Sequence, residues 1–213
     1  MNTKGILLVV SGFAGSGKGT LMKEMVSRYD NYALSVSATT RNPRPGEQDG
    51  REYFFVTKEK FENMIEAGEL LEYACYVGNY YGTPRRYVEK MLDEGKDVIL
   101  EIETQGGLNI KKIFPEALLL FVMPPSVEEI YNRLKGRGTE TEEIIMERMT
   151  RGADESFEIP KYDYLVINDE IDECVTRLHN TVQDAKYSTR RNMEFIEDVQ
   201  EQFKKFLANK KGD

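Results

Sequence analysis

Apolar positions along the chain fall into two alternating patterns. Gly5 to Val10 is a continuous apolar run bounded by glycine, which predicts a strand buried on both faces. Leu21, Met22, Met25, Val26 and Tyr29 follow at helical spacing. Similar runs recur at 98–102, 118–122 and 164–167, each followed by a helical pattern. Strand and helix in this alternation predict an α/β fold around a parallel central sheet.

Two stretches break that pattern. Between 35 and 82 the chain shows short strands and turns, which predict an inserted, mostly antiparallel lobe with a hairpin turning on Gly78-Asn79 between Tyr73–Val77 and Asn79–Gly82. One helix lies inside it, with Thr57 as N-cap, Val56 and Phe61 as a hydrophobic staple and Gly68 in the C-cap position. Thr83-Pro84 reads as a cap and first-turn proline opening a helix that stops at Gly95. From 126 to about 156, Ser126 with Glu129 and Thr139 with Glu142 predict two capping boxes, hence two helices around a Gly136-Arg137-Gly138 turn that could move as a flap. Beyond residue 188, Met193, Ile196, Val199, Phe203, Phe206 and Leu207 mark one apolar stripe, which predicts a helix packed on its own domain.

Composition narrows the chemistry. The 213 residues contain 37 Asp plus Glu, 29 Lys plus Arg, one His and two Cys, with 40% apolar residues. That apolar share is enough for a core. His179, Cys75 and Cys174 fall short of the roughly four ligands of a structural zinc site, leaving only a nucleophile triad on His179 formally open. A net charge of −8 argues against a broad nucleic-acid footprint, though local basic patches remain allowed. Two cysteines make no disulfide framework, the N-terminus shows no signal-peptide pattern, and no apolar run approaches the roughly 18–20 residues of a membrane span. The expectation is a cytoplasmic protein without membrane or nucleic-acid partners.

Gly12-Phe13-Ala14-Gly15-Ser16-Gly17-Lys18 has the spacing of a phosphate-binding P-loop, and it stands after a strand and before a helix as that motif must. Glycines let backbone N–H groups turn toward the phosphates, the helix N-terminus adds positive potential, and Lys18 brings a full charge. The position after the lysine, usually a Ser or Thr for magnesium, is Gly19, with Thr20 next. Direct ligation of Mg²⁺ by this loop is therefore in question, and Thr20 is a candidate only through water.

Further segments resemble one family. Ser37 to Glu47, Gly50 to Phe55, Gly78 to Thr83, Gln105-Gly106, Gly136 to Glu143 and Val166 to Asp169 occur in the order found in the guanylate kinase family, over about residues 5–190. The resemblance implies an α/β P-loop NTPase three-layer fold with a parallel central sheet, an inserted monophosphate-binding lobe and a helical lid. Its segments would be a core of 1–34, 84–125 and 157–213, a GMP lobe of 35–83 and a lid of 126–156. It also implies transfer of the ATP γ-phosphoryl group to GMP or dGMP with Mg²⁺, giving ADP and GDP. The ATP site would comprise Gly12 through Thr20 together with Asn168.

On the acceptor side, Arg41 and Arg44 sit in a proline-stiffened loop where their forks can converge on a dianion, with Tyr53 and Tyr81 as neutral donors. The resemblance assigns this set to the GMP phosphate and puts Glu72 on the base. A carboxylate accepts from guanine N1–H and the 2-amino group, and adenine offers neither donor on that edge. Ser37 and Thr83 can donate toward guanine O6, although Thr83 also suits a helix cap. Glu101 and Glu103, at the end of the Val98 strand, could orient the guanosine or the water shell of the metal, where the family commonly has Asp. Arg133, Arg137 and Arg148 match lid arginines that would spread charge over the transferred phosphoryl group beside Lys18. Arg151 stands four residues after Glu147 and reads as a helix ion pair. Within the enzymes, a ribose 1,5-bisphosphate kinase is the rival reading, disfavoured by Glu72. In another class stands a catalytically silent, protein-binding guanylate-kinase-like domain, disfavoured by the intact Gly17-Lys18 loop. The oligomeric state stays open.

Overall fold

A computed structural model describes residues 4–211 apart from 77, 137 and 139, and only the backbone of Tyr76 and Lys211. In chain order it contains β1 (Leu7–Gly12), α1 (Lys18–Arg28), β2 (Tyr32–Leu34), β3 (Ser37–Thr39), β4 (Tyr53–Phe55), α2 (Lys58–Glu66), β5 (Leu70–Tyr76), β6 (Asn79–Pro84) and α3 (Arg85–Asp93). It continues with β7 (Asp97–Glu101), α4 (Thr104–Ile113), β8 (Leu118–Met123), α5 (Val127–Gly136), α6 (Glu142–Ser156), β9 (Tyr164–Ile167), α7 (Ile171–Ala185) and α8 (Met193–Lys211). Five strands form an all-parallel sheet in the order β2-β7-β1-β8-β9.

The two faces of this sheet are covered by different helices. Alternate residues of β1 divide accordingly: Leu8 and Val10 pack with Leu21, Met22 and Met25 of α1 and with Val175 and Leu178 of α7. Leu7 and Val9 pack with Val88 of α3 and Ile110 of α4. The connection leaving β1 thus goes to one face and the connection leaving β7 goes to the other. Between two such strands the carboxyl ends open a crevice, which is where open α/β sheets place ligands.

Four further strands form a second sheet, β4-β3-β6-β5, parallel between β3 and β4 and antiparallel elsewhere. Its small core is Ala38, Phe61 and Leu70, with Val56 against Phe61 as the staple pattern predicts. Thr57 accepts the Lys60 N–H as N-cap, and Gly68 follows the helix with φ +67°. Tyr76 pairs with Asn79, so Asn79 opens β6 instead of lying in the turn; Val77, the expected end of the preceding strand, lies outside the described residues.

Other expectations also change. β2 is too short to stand out in the sequence, and β9 is an edge strand whose Tyr164 and Leu165 are exposed, unlike the buried β1, β7 and β8. Thr83 does not cap α3: Pro84 holds that position and Thr83 is a fully buried β6 residue. At α5, Ser126 accepts the Glu129 N–H, but the Glu129 carboxylate goes to Arg133 instead of returning to the cap. Thr141 is the N-cap of α6, and Thr139, the expected capping residue, lies outside the described residues. Along α8 the stripe divides: Ile196 and Val199 are half-buried, whereas Met193, Phe203, Phe206 and Leu207 are exposed, so its outer half is not packed on the domain. His179 stacks on Tyr29 at 3.7 Å and meets the Tyr32 hydroxyl at 3.0 Å, which makes it a packing residue between α1 and α7.

Candidate active site

The crevice holds a cleft of about 550 Å³ lined by the whole loop from Gly12 to Thr20, by Ser37 and Tyr53 of the small sheet, by Glu101 at the end of β7 and Glu103 beyond it, and by Arg148, Arg151 and Glu155 of α6. The glycines of the loop answer to close contacts. A Cβ on Gly12 would stand 2.0 Å from the Val122 carbonyl oxygen. Gly17 has φ +84°, and a Cβ there would stand 2.5 Å from Asn168 Nδ2. That amide donates to the Ser16 carbonyl at 2.8 Å, so Asn168, nearly buried, braces the loop. Lys18 is folded back on the loop carbonyls of Gly12 and Phe13. The Ser16 hydroxyl is buried with no hydrogen-bond partner among the described residues, a donor left over within the loop.

Glu101 borders the same end. Its carboxylate lies 3.7 Å from where a Cβ of Gly19 would be, and burial raises its pKa while Lys18 and Lys23 pull it down. Glu103 does not extend the strand; it is the N-cap residue of α4. Thr20 is exposed in the cleft. One carboxylate and one hydroxyl near a phosphate loop suit a magnesium ion that keeps waters and phosphate oxygens as ligands, because Mg²⁺ dehydrates reluctantly. No cluster of three or more His, Cys, Asp or Glu able to hold a metal occurs among the described residues.

Two clusters form on the small sheet. In the first, Tyr53 pairs with Ser37 across the sheet, its ring meets Tyr81 edge-on at 6.0 Å, and the Arg41 guanidinium lies 5.4 Å from the Tyr53 ring centre. Glu47 occupies this arginine: its carboxylate accepts from Arg41 Nη2 at 3.0 Å and from the Arg44 backbone N–H at 2.7 Å. Arg41 draws the pKa of Glu47 below the ordinary carboxylate range. The Arg44 side chain is exposed. In the second cluster Glu72, only 8% exposed, accepts from Thr83 Oγ1 at 2.8 Å. Burial raises its pKa and the Thr83 hydrogen bond works against that rise. Gly106 of α4 faces this carboxylate, and a Cβ there would come within 2.9 Å of Glu72 Oε2.

The helices α5 and α6 rest on the phosphate loop through Phe13, which packs with Ile130, Leu134 and Ile145. Arg133 is held by Glu129 at 2.7 Å and reaches the Asn168 carbonyl at 3.1 Å. Arg148 donates to Glu140 at 2.6 Å, while its Nε is buried with no partner among the described residues. Arg137 lies outside the described residues. Arg151 is not paired with Glu147. It binds Glu155 in its own helix and Glu103 across the cleft, each at 2.9 Å.

The cleft therefore brings together the phosphate loop, Ser37, Tyr53, Glu101, Glu103 and Arg148. Arg41, Arg44, Glu72, Tyr81, Thr83, Arg133 and Asn168 stand outside its lining. Lys23, Glu47, Arg151 and Glu155 were missed as site residues. Lys23 could have been found from its spacing, since it repeats the Gly19 position one helical turn later. For the contact between Arg151 and Glu103 the sequence carries no local signal, because the partners are 48 positions apart.

The family model described as guanylate kinase matches residues 4–185. A guanylate kinase of Halalkalibacterium halodurans is 54% identical over 175 residues, covering 82% of this chain and 86% of its own length. One from Oceanobacillus iheyensis is 44% identical over 206 residues, covering 97% of each. A crystal structure of guanylate kinase from Anaplasma phagocytophilum superposes with a TM-score of 0.73 at 33% identity, covering 88% of this chain and 89% of that one. Fold, phosphate loop and relatives agree, and the chain belongs to the guanylate kinase family.

Proposed function

We propose that this protein transfers the γ-phosphoryl group of ATP to GMP or dGMP, releasing ADP and, respectively, GDP or dGDP. The observation that carries the reading is one cleft walled on one side by a phosphate loop and on the other by the lobe of Ser37 and Tyr53. Donor and acceptor then meet in a shared space, which converts a bimolecular encounter into a positioned one. In this reading the working parts are a core of 1–34, 84–125 and 157–213, a GMP lobe of 35–83 and a lid of 126–156.

Roles follow from chemistry. Backbone N–H groups of Gly12–Thr20 and the Ser16 hydroxyl bind the donor phosphates, and Lys18 leaves the loop carbonyls for the β and γ oxygens. Arg41, Arg44, Tyr53 and Tyr81 bind the acceptor phosphate after Arg41 exchanges Glu47 for it. Ionised Glu72 accepts from guanine N1–H and the 2-amino group, with Thr83 fixing its orientation and Ser37 donating toward O6. Arg133, Arg137 and Arg148 spread the charge of the transferred group as the lid closes and excludes water. Asn168 positions the loop from beneath. Mg²⁺, held through water and phosphate oxygens near Thr20 and Glu101, would neutralise charge on the β and γ phosphates.

An ADP-release assay with ATP and, in turn, GMP, AMP, dTMP and ribose 1,5-bisphosphate tests this. GMP should be the preferred acceptor by at least tenfold, the size of one charged hydrogen bond at about 1.5 kcal/mol. Equal turnover of AMP and GMP would overturn the assignment.

A further inference from the structure

The arginines described on the two lid helices are held in different ways. Arg133 and Arg151 each pair with a glutamate four positions away in the same helix, Glu129 and Glu155, which is the ordinary surface arrangement. Arg148 has no acid at that spacing: Ile144 and Ile145 precede it, and Arg151 and Gly152 follow. Its carboxylate comes instead from Glu140, eight positions back and just before the Thr141 N-cap. A turn through Gly138, with φ +63°, leads into this residue. Among the described residues Glu140 is the sole hydrogen-bond partner of the Arg148 guanidinium. The arginine stands on the face of α6 that rests on the phosphate loop, where Ile145 packs with Phe13 and a Cβ on Gly152 would stand 3.5 Å from the Phe13 ring. Arg148 lines the cleft, and Glu140 lies outside that lining.

A guanidinium offers two edges to an oxyanion, Nε with Nη2 at the side and Nη1 with Nη2 at the end. Glu140 Oε1 accepts from Nη2 at 2.6 Å. The two buried atoms of the pair without a partner among the described residues, Arg148 Nε and Glu140 Oε2, are the ones that a fork on the side edge would join. A carboxylate on that edge leaves the end edge, with its two parallel N–H groups, for phosphoryl oxygens. Glu140 is also poorly placed to let go. When Arg41 leaves Glu47, that carboxylate keeps the Arg44 backbone N–H. Glu140, with 18% of its side chain exposed, keeps no such partner among the described residues, and stripping one member from a largely buried ion pair is the costly case. We propose that Glu140 is a positioning residue of the reaction: it stays on the side edge of Arg148 as the lid closes and so aims the end edge at the transferred phosphoryl group. The inference rests on the phosphoryl transfer proposed above and assigns a role to a residue that touches neither substrate.

Steady-state kinetics of the full chain with ATP and GMP test this, with circular dichroism and Tm as controls on folding. Arg148→Ala should lower kcat about 10²-fold, the cost of removing one donor aimed at the transition state. Glu140→Ala should lower kcat about tenfold with both KM values within about twofold, because a misaimed guanidinium acts on the transferred group and not on substrate binding. The double variant should be no slower than Arg148→Ala alone, since one residue acts through the other. Glu140→Gln keeps an acceptor oxygen for Nη2 and should recover most of the loss. Where Glu140→Ala fails to fold, Glu140→Asp carries the test: it keeps the charge, shortens the reach by one methylene, and should still lower kcat with both KM values unmoved. A kcat unchanged or raised in Glu140→Ala, as for a carboxylate that competes with phosphate, would overturn the proposal. So would losses that multiply in the double variant, a Gln variant no better than Ala, or an Asp variant as fast as the parent. A parent chain that turns over GMP no faster than AMP strikes the proposed function, whereas one that prefers GMP and is indifferent to Glu140 strikes this inference alone.

Discussion

The donor and acceptor sides of the cleft are built on opposite principles. In the proposed reading the phosphate loop binds mostly through backbone, and that backbone is set by its glycines and braced by Asn168 without any ligand. In the same reading the acceptor lobe would rely on side chains that are engaged with one another in this structure: Arg41 with Glu47, and Glu72 with Thr83. A preorganised cradle can serve any nucleoside triphosphate, while exchangeable side chains can test what comes in. The donor side should accordingly govern rate and the acceptor side recognition.

The largest break in that contrast should come from Lys18→Met. Removing a full charge aimed at developing phosphate charge should lower kcat by about 10²–10³ with little change in the GMP KM, measured by steady-state kinetics with ATP saturating. A loss appearing mainly in the GMP KM would place Lys18 on the wrong side of the comparison.

Glu72→Gln probes the other side, and two readouts should move in opposite directions. The GMP KM should rise about 10- to 100-fold, the worth of a charged hydrogen bond of about 1.5–3 kcal/mol. Stability should increase. A carboxyl whose folded pKa lies above its unfolded value opposes folding once ionised, and that penalty is relieved as pH falls through the folded value. Replacing it with a neutral amide that still accepts from Thr83 should raise Tm at pH 7 by about 2–4 °C for each kcal/mol recovered, and the gain should shrink in acid. By the same sign, the wild-type GMP KM should climb as pH falls from a point above the usual glutamate range, since recognition needs the ionised form. A Tm gain that is the same at pH 7 and in acid would mean that Glu72 carries no buried-charge penalty.

The smallest effect belongs to Arg151, whose bridge to Glu103 links α6 to the cleft floor. Both side chains are substantially exposed, at 40% and 60%, so the pair contributes about 0–1 kcal/mol. Arg151→Ala should change kcat by no more than about fivefold, and the change should fade at high salt. A hundredfold loss would promote Arg151 to the same rank as Arg148.

The same contrast explains what could be read from the chain. Backbone-built features leave local marks, because glycine spacing and continuous apolar runs are demanded by close approach and two-sided burial; β1, β7, β8 and the phosphate loop are visible for that reason. Edge positions leave weak marks. β2 has three residues, and β9 reads as a buried strand although its first two residues face solvent. Side-chain pairings between distant segments leave almost none. Thr83 obeys a local capping rule in the sequence and a tertiary hydrogen bond to Glu72 in the fold, and the tertiary bond wins. Arg151 offers helix partners at Glu147 and Glu155, and only the fold selects Glu155 and adds Glu103. The stripe on α8 declares an amphipathic helix without declaring what covers it.

The division of labour can be tested with two substrates and one substitution. Inosine monophosphate is GMP without the 2-amino group that Glu72 should receive. In the wild-type protein kcat/KM should favour GMP over inosine monophosphate by about tenfold or more, and in Glu72→Gln that preference should collapse toward unity. A preference unchanged by the substitution would show that guanine is read elsewhere and contradict the account.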